Sequence, residues 1–152
     1  MIYVMSDLHG QYEKYTRMLD IISFSDEDEL YILGDVVDRG PQSAELLLDM
    51  SMRPNVYPIL GNHDVMASLL LKKLCVKIED DTHTALANDE ILRMLAAWQL
   101  DGGQATIDSF KRLSPDDRDA LLDYLEEFVP YEFIEVNGRK FLLVHGGIPF
   151  GK

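Results

Sequence analysis

Three short apolar runs punctuate the first half of the chain, at positions 2–5, 30–33 and 56–60. Each ends in polar residues: Ser6-Asp7, Gly34-Asp35 and Gly61-Asn62. Runs of this length with turn residues behind them predict buried strands, each delivering a polar loop. Between the runs the period lengthens. Tyr15, Met18, Leu19 and Ile22 recur at helical spacing, which predicts a helix over 11–22. A second helix is expected from Pro41, near its start where proline is tolerated, to about Met52. Strand, helix, strand, helix, strand is the order of a layered α/β fold with a largely parallel sheet. Ligands in such sheets bind beyond the carboxyl ends of the strands, so the three polar loops are expected to converge.

The middle of the chain reads as helical. Helices are expected over 64–75 and 89–100, the second with Ile91, Leu92, Leu95 and Trp98 on its apolar side, and a polar connection over 76–88. Gly102-Gly103 breaks the run. Ser114-Pro115-Asp116-Asp117 reads as an N-cap, a first-turn proline and an acidic third position, opening a helix to about Phe128. Its buried stripe is Leu121, Leu122, Leu125 and Phe128. The last stretch is β again: strands over 131–136 and 139–145 flank Asn137-Gly138, a two-residue hairpin turn. The second of these strands ends in His145, so a fourth polar segment, His145-Gly146-Gly147, also follows a strand.

A chain of 152 residues, 47% apolar, fits one domain over 1–152 with a real core. Its formal net charge of -13 argues against a nucleic-acid or anionic-membrane partner, since phosphate surfaces call for stripes of Lys and Arg. No apolar run is long enough to span a bilayer and the first strand begins at Ile2, which makes the cytoplasm the expected location. Cys75, the single cysteine, lies among leucines and is expected to be buried. Met50, Met52, Met66 and Met94 read as core filler, and His83 as a surface histidine.

Asp7-x-His9 places a carboxylate and an imidazole two residues apart as the chain leaves a strand. Continued alternation would direct both to one side, where both could bind one metal. Taken alone, Asn62-His63-Asp64 reads equally as a helix N-cap. Gly10, Gly40 and Gly61 predict tight turns beside these residues.

The ordered set carries more than its members. Asp7-Leu8-His9-Gly10, Gly34-Asp35-x-x-Asp38-Arg39-Gly40, Gly61-Asn62-His63-Asp64 and His145-Gly146-Gly147 together resemble the calcineurin-like metallophosphoesterases, in particular the phosphoprotein phosphatase branch with its bacterial serine/threonine protein phosphatases. The likeness runs from Ile2 to about Pro149. It implies an αββα sandwich of mixed sheets flanked by helices, and two divalent metal ions as cofactors, manganese first and iron or zinc as alternatives. By resemblance, Asp7 and His9 would hold the first ion, Asp35 would bridge, and Asn62 and His145 would hold the second. His63 would be the general acid, Asp38 its tautomer-fixing partner, and Arg39 the phosphate grip, with Asn62 and His63 also facing the phosphate. A hydroxide activated between the two ions would attack the phosphomonoester in line.

The chain departs from the pattern in places. Members of this branch contribute a further histidine and, in many, a second arginine from later strands, whereas here His145 is the last histidine. The second metal site is expected to keep three ligands and the second sheet to be incomplete, as in a shortened member or the front portion of a longer product. Asp64 stands where many protein phosphatases carry Glu, and Leu60 where some members carry Arg. The implied substrate is phosphoserine or phosphothreonine in proteins. The alternatives are symmetrical hydrolysis of diadenosine tetraphosphate, or a catalytically weak metal-binding or interaction protein.

Overall fold

The computed structural model describes residues 1–79 and 89–147, with side chains placed for all of these but 76–79. The element order begins β1 (Ile2–Met5), α1 (Tyr12–Ile21), β2 (Glu29–Leu33), α2 (Ser43–Ser51), β3 (Val56–Ile59) and α3 (Asn62–Glu79). It continues α4 (Asp89–Trp98), a π-helical turn (Gln99–Gly103), α5 (Gln104–Lys111), α6 (Pro115–Glu126), β4 (Tyr131–Val136) and β5 (Arg139–Val144).

The three predicted strands form one parallel sheet in the order β1-β2-β3. Met5 pairs with Ile32, and Leu33 with Ile59. That register brings the loops after all three strands to one end of the sheet. The central strand is buried on both faces, with Leu30, Tyr31 and Ile32 hidden, as an apolar run between two layers requires. One face packs on the helices, where Leu46, Leu47 and Met50 of α2 meet Leu70 and Leu71 of α3 and Leu121 and Leu125 of α6. On the other face Tyr31 and Ile59 meet Leu143 of the β4–β5 hairpin, with Ile2, Leu33 and Ile134 around them. The result is helix layer, parallel sheet, antiparallel hairpin, with a second sheet of two strands.

The hairpin turn is as expected: Asn137 and Gly138 both take positive φ, 51° and 75°, which a type I′ turn demands. The cap of α6 is also as expected, with Ser114 Oγ accepting from the Asp117 amide at 3.2 Å. Other expectations are corrected. Helix α2 begins at Ser43, leaving Pro41 outside it, because the backbone of the preceding loop is held by α1's loop: the Gln42 amide donates to Gly10 O. Helix α3 begins at Asn62 and runs on through Glu79, so 76–79 are helical rather than connection, while residues 80–88 and His83 lie outside the described residues. Beyond the glycine break the helix resumes as α5, since Gly102 alone leaves helical geometry, at φ 103°. Met52 is 82% exposed, standing just past the end of α2, and Cys75 is half-buried on α3 rather than buried.

Candidate metal centre

Strand β1 stops at Met5, but its loop stays zipped to the loop after β2. The amides of Asp7, His9 and Gly10 donate to Gly34 O, Asp35 O and Val36 O at 2.8–3.1 Å. The backbone inside this zip is strained: Asp7, His9, Asp35, Asp38 and Arg39 all have positive φ, between 41° and 73°. Non-glycine residues in that region cost on the order of 1–3 kcal/mol each and persist where surrounding structure over-determines them, commonly at functional sites. Because Asp7 and His9 are left-handed rather than extended, strand alternation does not carry past Met5.

Asp64, in the first turn of α3, holds the Asp35 loop in place. Its buried carboxylate accepts from the amides of Asp35 (2.8 Å), Val36 (2.9 Å), Val37 (3.4 Å) and Gly61 (2.9 Å). Burial pushes the Asp64 carboxyl up to about 6, against the pull of those amides. Gly61 allows the close approach, since a Cβ there would sit 2.3 Å from the Asp35 amide nitrogen. Sequence reading assigned Asp64 no role; its signal was the acidic residue three positions after a strand-ending glycine.

Asp35 is the centre of the constellation. Its Oδ1 accepts from the His63 amide at 3.1 Å, leaving Oδ2 turned to two imidazoles: His145 Nε2 at 3.3 Å and His9 Nε2 at 3.8 Å. Both rings are oriented the same way. His9 Nδ1 donates to Val37 O at 2.9 Å, and His145 Nδ1 to Leu33 O at 2.7 Å. A neutral imidazole with its proton on Nδ1 presents an Nε2 lone pair, the tautomer that ligates metals through Nε2. Asn62 Oδ1 stands 3.2 Å from His145 Nε2. Three acceptors, Asp35 Oδ2, Asn62 Oδ1 and the His145 lone pair, thus face one another. Such a group of acceptors suits a cation. Among the described residues, Asp7, Asp35 and His145 form one set with ligand atoms within 4.8 Å of one another, and His9, Asp35 and His63 form another. Asp35 belongs to both. Asp7 and His9 thus each fall in one of the two sets that share Asp35.

Beside this centre lies a buried polar chain. His63 Nδ1 donates to Asp38 Oδ2 at 2.7 Å, and Trp98 Nε1 donates to the same oxygen at 2.7 Å. Thr106 Oγ1 donates to Asp38 Oδ1 at 2.6 Å and accepts from the Asp38 amide at 2.9 Å. Asp38 is wholly buried, yet three donors meet its carboxylate, as a buried anion requires. Arg39, by contrast, is half-exposed; its Nη2 lies 3.4 Å from His63 Nε2 and 3.3 Å from Asp101 Oδ1. The motif residues Asp7, His9, Asp35, Asp38, Arg39, Asn62, His63 and His145 therefore meet at one place. Trp98, Thr106 and Asp101 join them from α4, α5 and the turn between; the sequence favours core packing for Trp98 over a place in a groove wall and marks neither Thr106 nor Asp101.

The model of the calcineurin-like phosphoesterase family matches residues 1–151. The chain belongs to that family. Calcineurin-like phosphoesterases use a dinuclear metal site, and this member carries the two candidate ligand groups just described. A symmetrical bis(5′-nucleosyl)-tetraphosphatase of Wigglesworthia glossinidia brevipalpis is 34% identical over 113 residues, 73% of this chain and 42% of that protein. A candidate serine/threonine-protein phosphatase of Caenorhabditis elegans is 41% identical over 68 residues, 41% of this chain and 19% of its own. A crystal structure described as that of a candidate diadenosine tetraphosphatase superposes with a TM-score of 0.53 at 22% identity, covering 84% of this chain and 42% of that one. The chain thus spans less than half the length of these relatives. No helix among its described residues is long and apolar enough to cross a membrane.

Proposed function

We propose that this phosphoesterase hydrolyses dinucleoside tetraphosphates symmetrically, splitting the central P–O–P linkage to release two nucleoside diphosphates. The observation that carries the metal-dependent chemistry is the pair of imidazoles tethered at Nδ1, both aiming Nε2 at Asp35 Oδ2. The substrate class is supported by the tetraphosphatase likeness, which spans 113 residues against 68 for the protein phosphatase. This favours the dinucleotide over the phosphoprotein expected first from the motifs.

In this reading Asp7, His9, Asp35, Asn62 and His145 hold two divalent cations, with manganese, iron and zinc all suited to these donors. Such ions supply a nucleophilic water and neutralise charge on the phosphate oxygens. Arg39 presents its planar fork to two non-bridging oxygens. His63 Nε2 gives a proton to the departing diphosphate oxygen, while Asp38 holds Nδ1 and stabilises the charged ring. Trp98 and Thr106 fix Asp38 by hydrogen-bonding its two oxygens.

The test is product analysis with Mn²⁺ present, offering diadenosine tetraphosphate and a phosphothreonine peptide side by side. ADP as sole product, lost in Asp35→Asn, is the expected result. ATP plus AMP, or faster release of phosphate from the peptide, would overturn the assignment.

A further inference from the structure

We propose that Asp101 is a gate on Arg39: its carboxylate and the substrate's phosphoryl group compete for the same edge of the guanidinium. The proposal rests on the reading of Arg39 as the phosphate grip. Asp101 Oδ1 lies 3.3 Å from Arg39 Nη2, and Asp101 Oδ2 lies 3.6 Å from His63 Nε2. One carboxylate therefore faces both groups that the proposed reaction assigns to the transferred phosphoryl group and the departing oxygen. Asp101 Oδ1 takes up Nη2, a donor that a phosphate oxygen gripped by the guanidinium would also need, so the two anions are rivals for it.

The backbone holds the rival in place. Asp101 sits in the π-helical turn Gln99–Gly103, and the next residue, Gly102, is pressed directly onto Arg39. The Arg39 amide donates to Gly102 O at 3.0 Å. A Cβ on Gly102 would lie 2.6 Å from Arg39 Cγ, and its φ of 103° excludes ordinary side chains. Arg39 and the Asp101 backbone are thus locked together, whereas the two charged ends are free to part: the side chains are 55% and 61% exposed. An ion pair this exposed is weak enough for an incoming phosphate to displace. Asp101 holds the guanidinium oriented near His63 and sets a threshold that only a well-seated phosphate crosses.

The test is a calorimetric titration of inorganic phosphate into the chain in Mn²⁺ buffer, for wild type, Asp101→Asn, Arg39→Ala and the double variant. Removing the rival from wild type should tighten phosphate binding roughly two- to fivefold, the range of an exposed ion pair. In the Arg39→Ala background the same change should have no effect. Equal tightening in both backgrounds would reduce Asp101 to general charge repulsion and overturn the gate, as would unchanged or weaker binding in Asp101→Asn. Asp101→Ala repeats the comparison with no amide to form new hydrogen bonds. If phosphate binding tightens as described while diadenosine tetraphosphate is not cleaved, the gate stands and the functional assignment falls.

Discussion

Trp98 and Asp38, 60 residues apart in sequence, are joined by an indole N–H donated to Oδ2 at 2.7 Å, the same oxygen that holds His63 Nδ1. A tryptophan that sequence patterning assigns to a helix's apolar stripe thereby reaches, through one carboxylate, the imidazole beside the metal centre. Trp98→Phe keeps most of the ring's packing and removes only that donor. Hydrogen bonds to charged groups contribute about 1.5–3 kcal/mol, so the variant should lose about that much in a urea unfolding series. Its kcat should fall while KM changes little, because phosphate binding through Arg39 is untouched.

Gly103 enforces the same contact from the other side. A Cβ at this position would sit 2.4 Å from two indole ring atoms of Trp98. Gly103→Ala is therefore expected to displace the indole from Asp38, with an overpacking cost of about 1–3 kcal/mol. Tryptophan fluorescence reads the displacement directly, and an unchanged spectrum with unchanged stability would contradict it.

Asp64 gathers four backbone amides from two loops. Asp64→Ala strands buried donors that each cost about 1–3 kcal/mol when unpaired, so a loss of at least about 3 kcal/mol is expected. Because Asp64 holds the amides of Asp35, Val36 and Val37 together, metal affinity should fall along with stability. Calorimetric Mn²⁺ titration of whatever fraction remains folded checks this.

Metal removal makes a separate prediction. The proposed ligands come from five points along the chain, so cation binding should depend on folding. At a free Mn²⁺ concentration 100 times its Kd, each site should add about 2.7 kcal/mol, visible as a rise in Tm that EDTA reverses. Asp35→Asn, which weakens both ligand sets at once, should abolish most of the shift. A full shift in that variant would place the ions elsewhere.

Much of the scaffold was legible along the chain because its signals are local. Each parallel strand is a short apolar run ended by turn residues, Ser114 precedes a proline and two aspartates, and Asn137-Gly138 sits between alternating segments. The ordered motifs likewise pointed to Asp7, His9, Asp35, Asn62, His63 and His145, and the structure brings all six to one end of the sheet. The loop that presents them was not legible. Asp7 and His9 read as a continuation of strand alternation, and both take left-handed backbone instead.

The sequence by itself determined the α/β scaffold, the strand-end placement of the polar loops and the chemical types of the ligands. Apolar period, glycine position and residue identity act over a few neighbouring residues, which makes them readable in order. Tertiary structure alone decided what stands behind those ligands. Trp98 and Thr106 reach Asp38 from 60 and 68 residues away, Asp101 reaches Arg39 across 62, and Asp64 is turned back onto the Asp35 loop. No local propensity marks such partners. They are selected by how α4, α5 and the turn between them dock on the loop after β2, a matter of packing shape and of finding donors for one buried carboxylate.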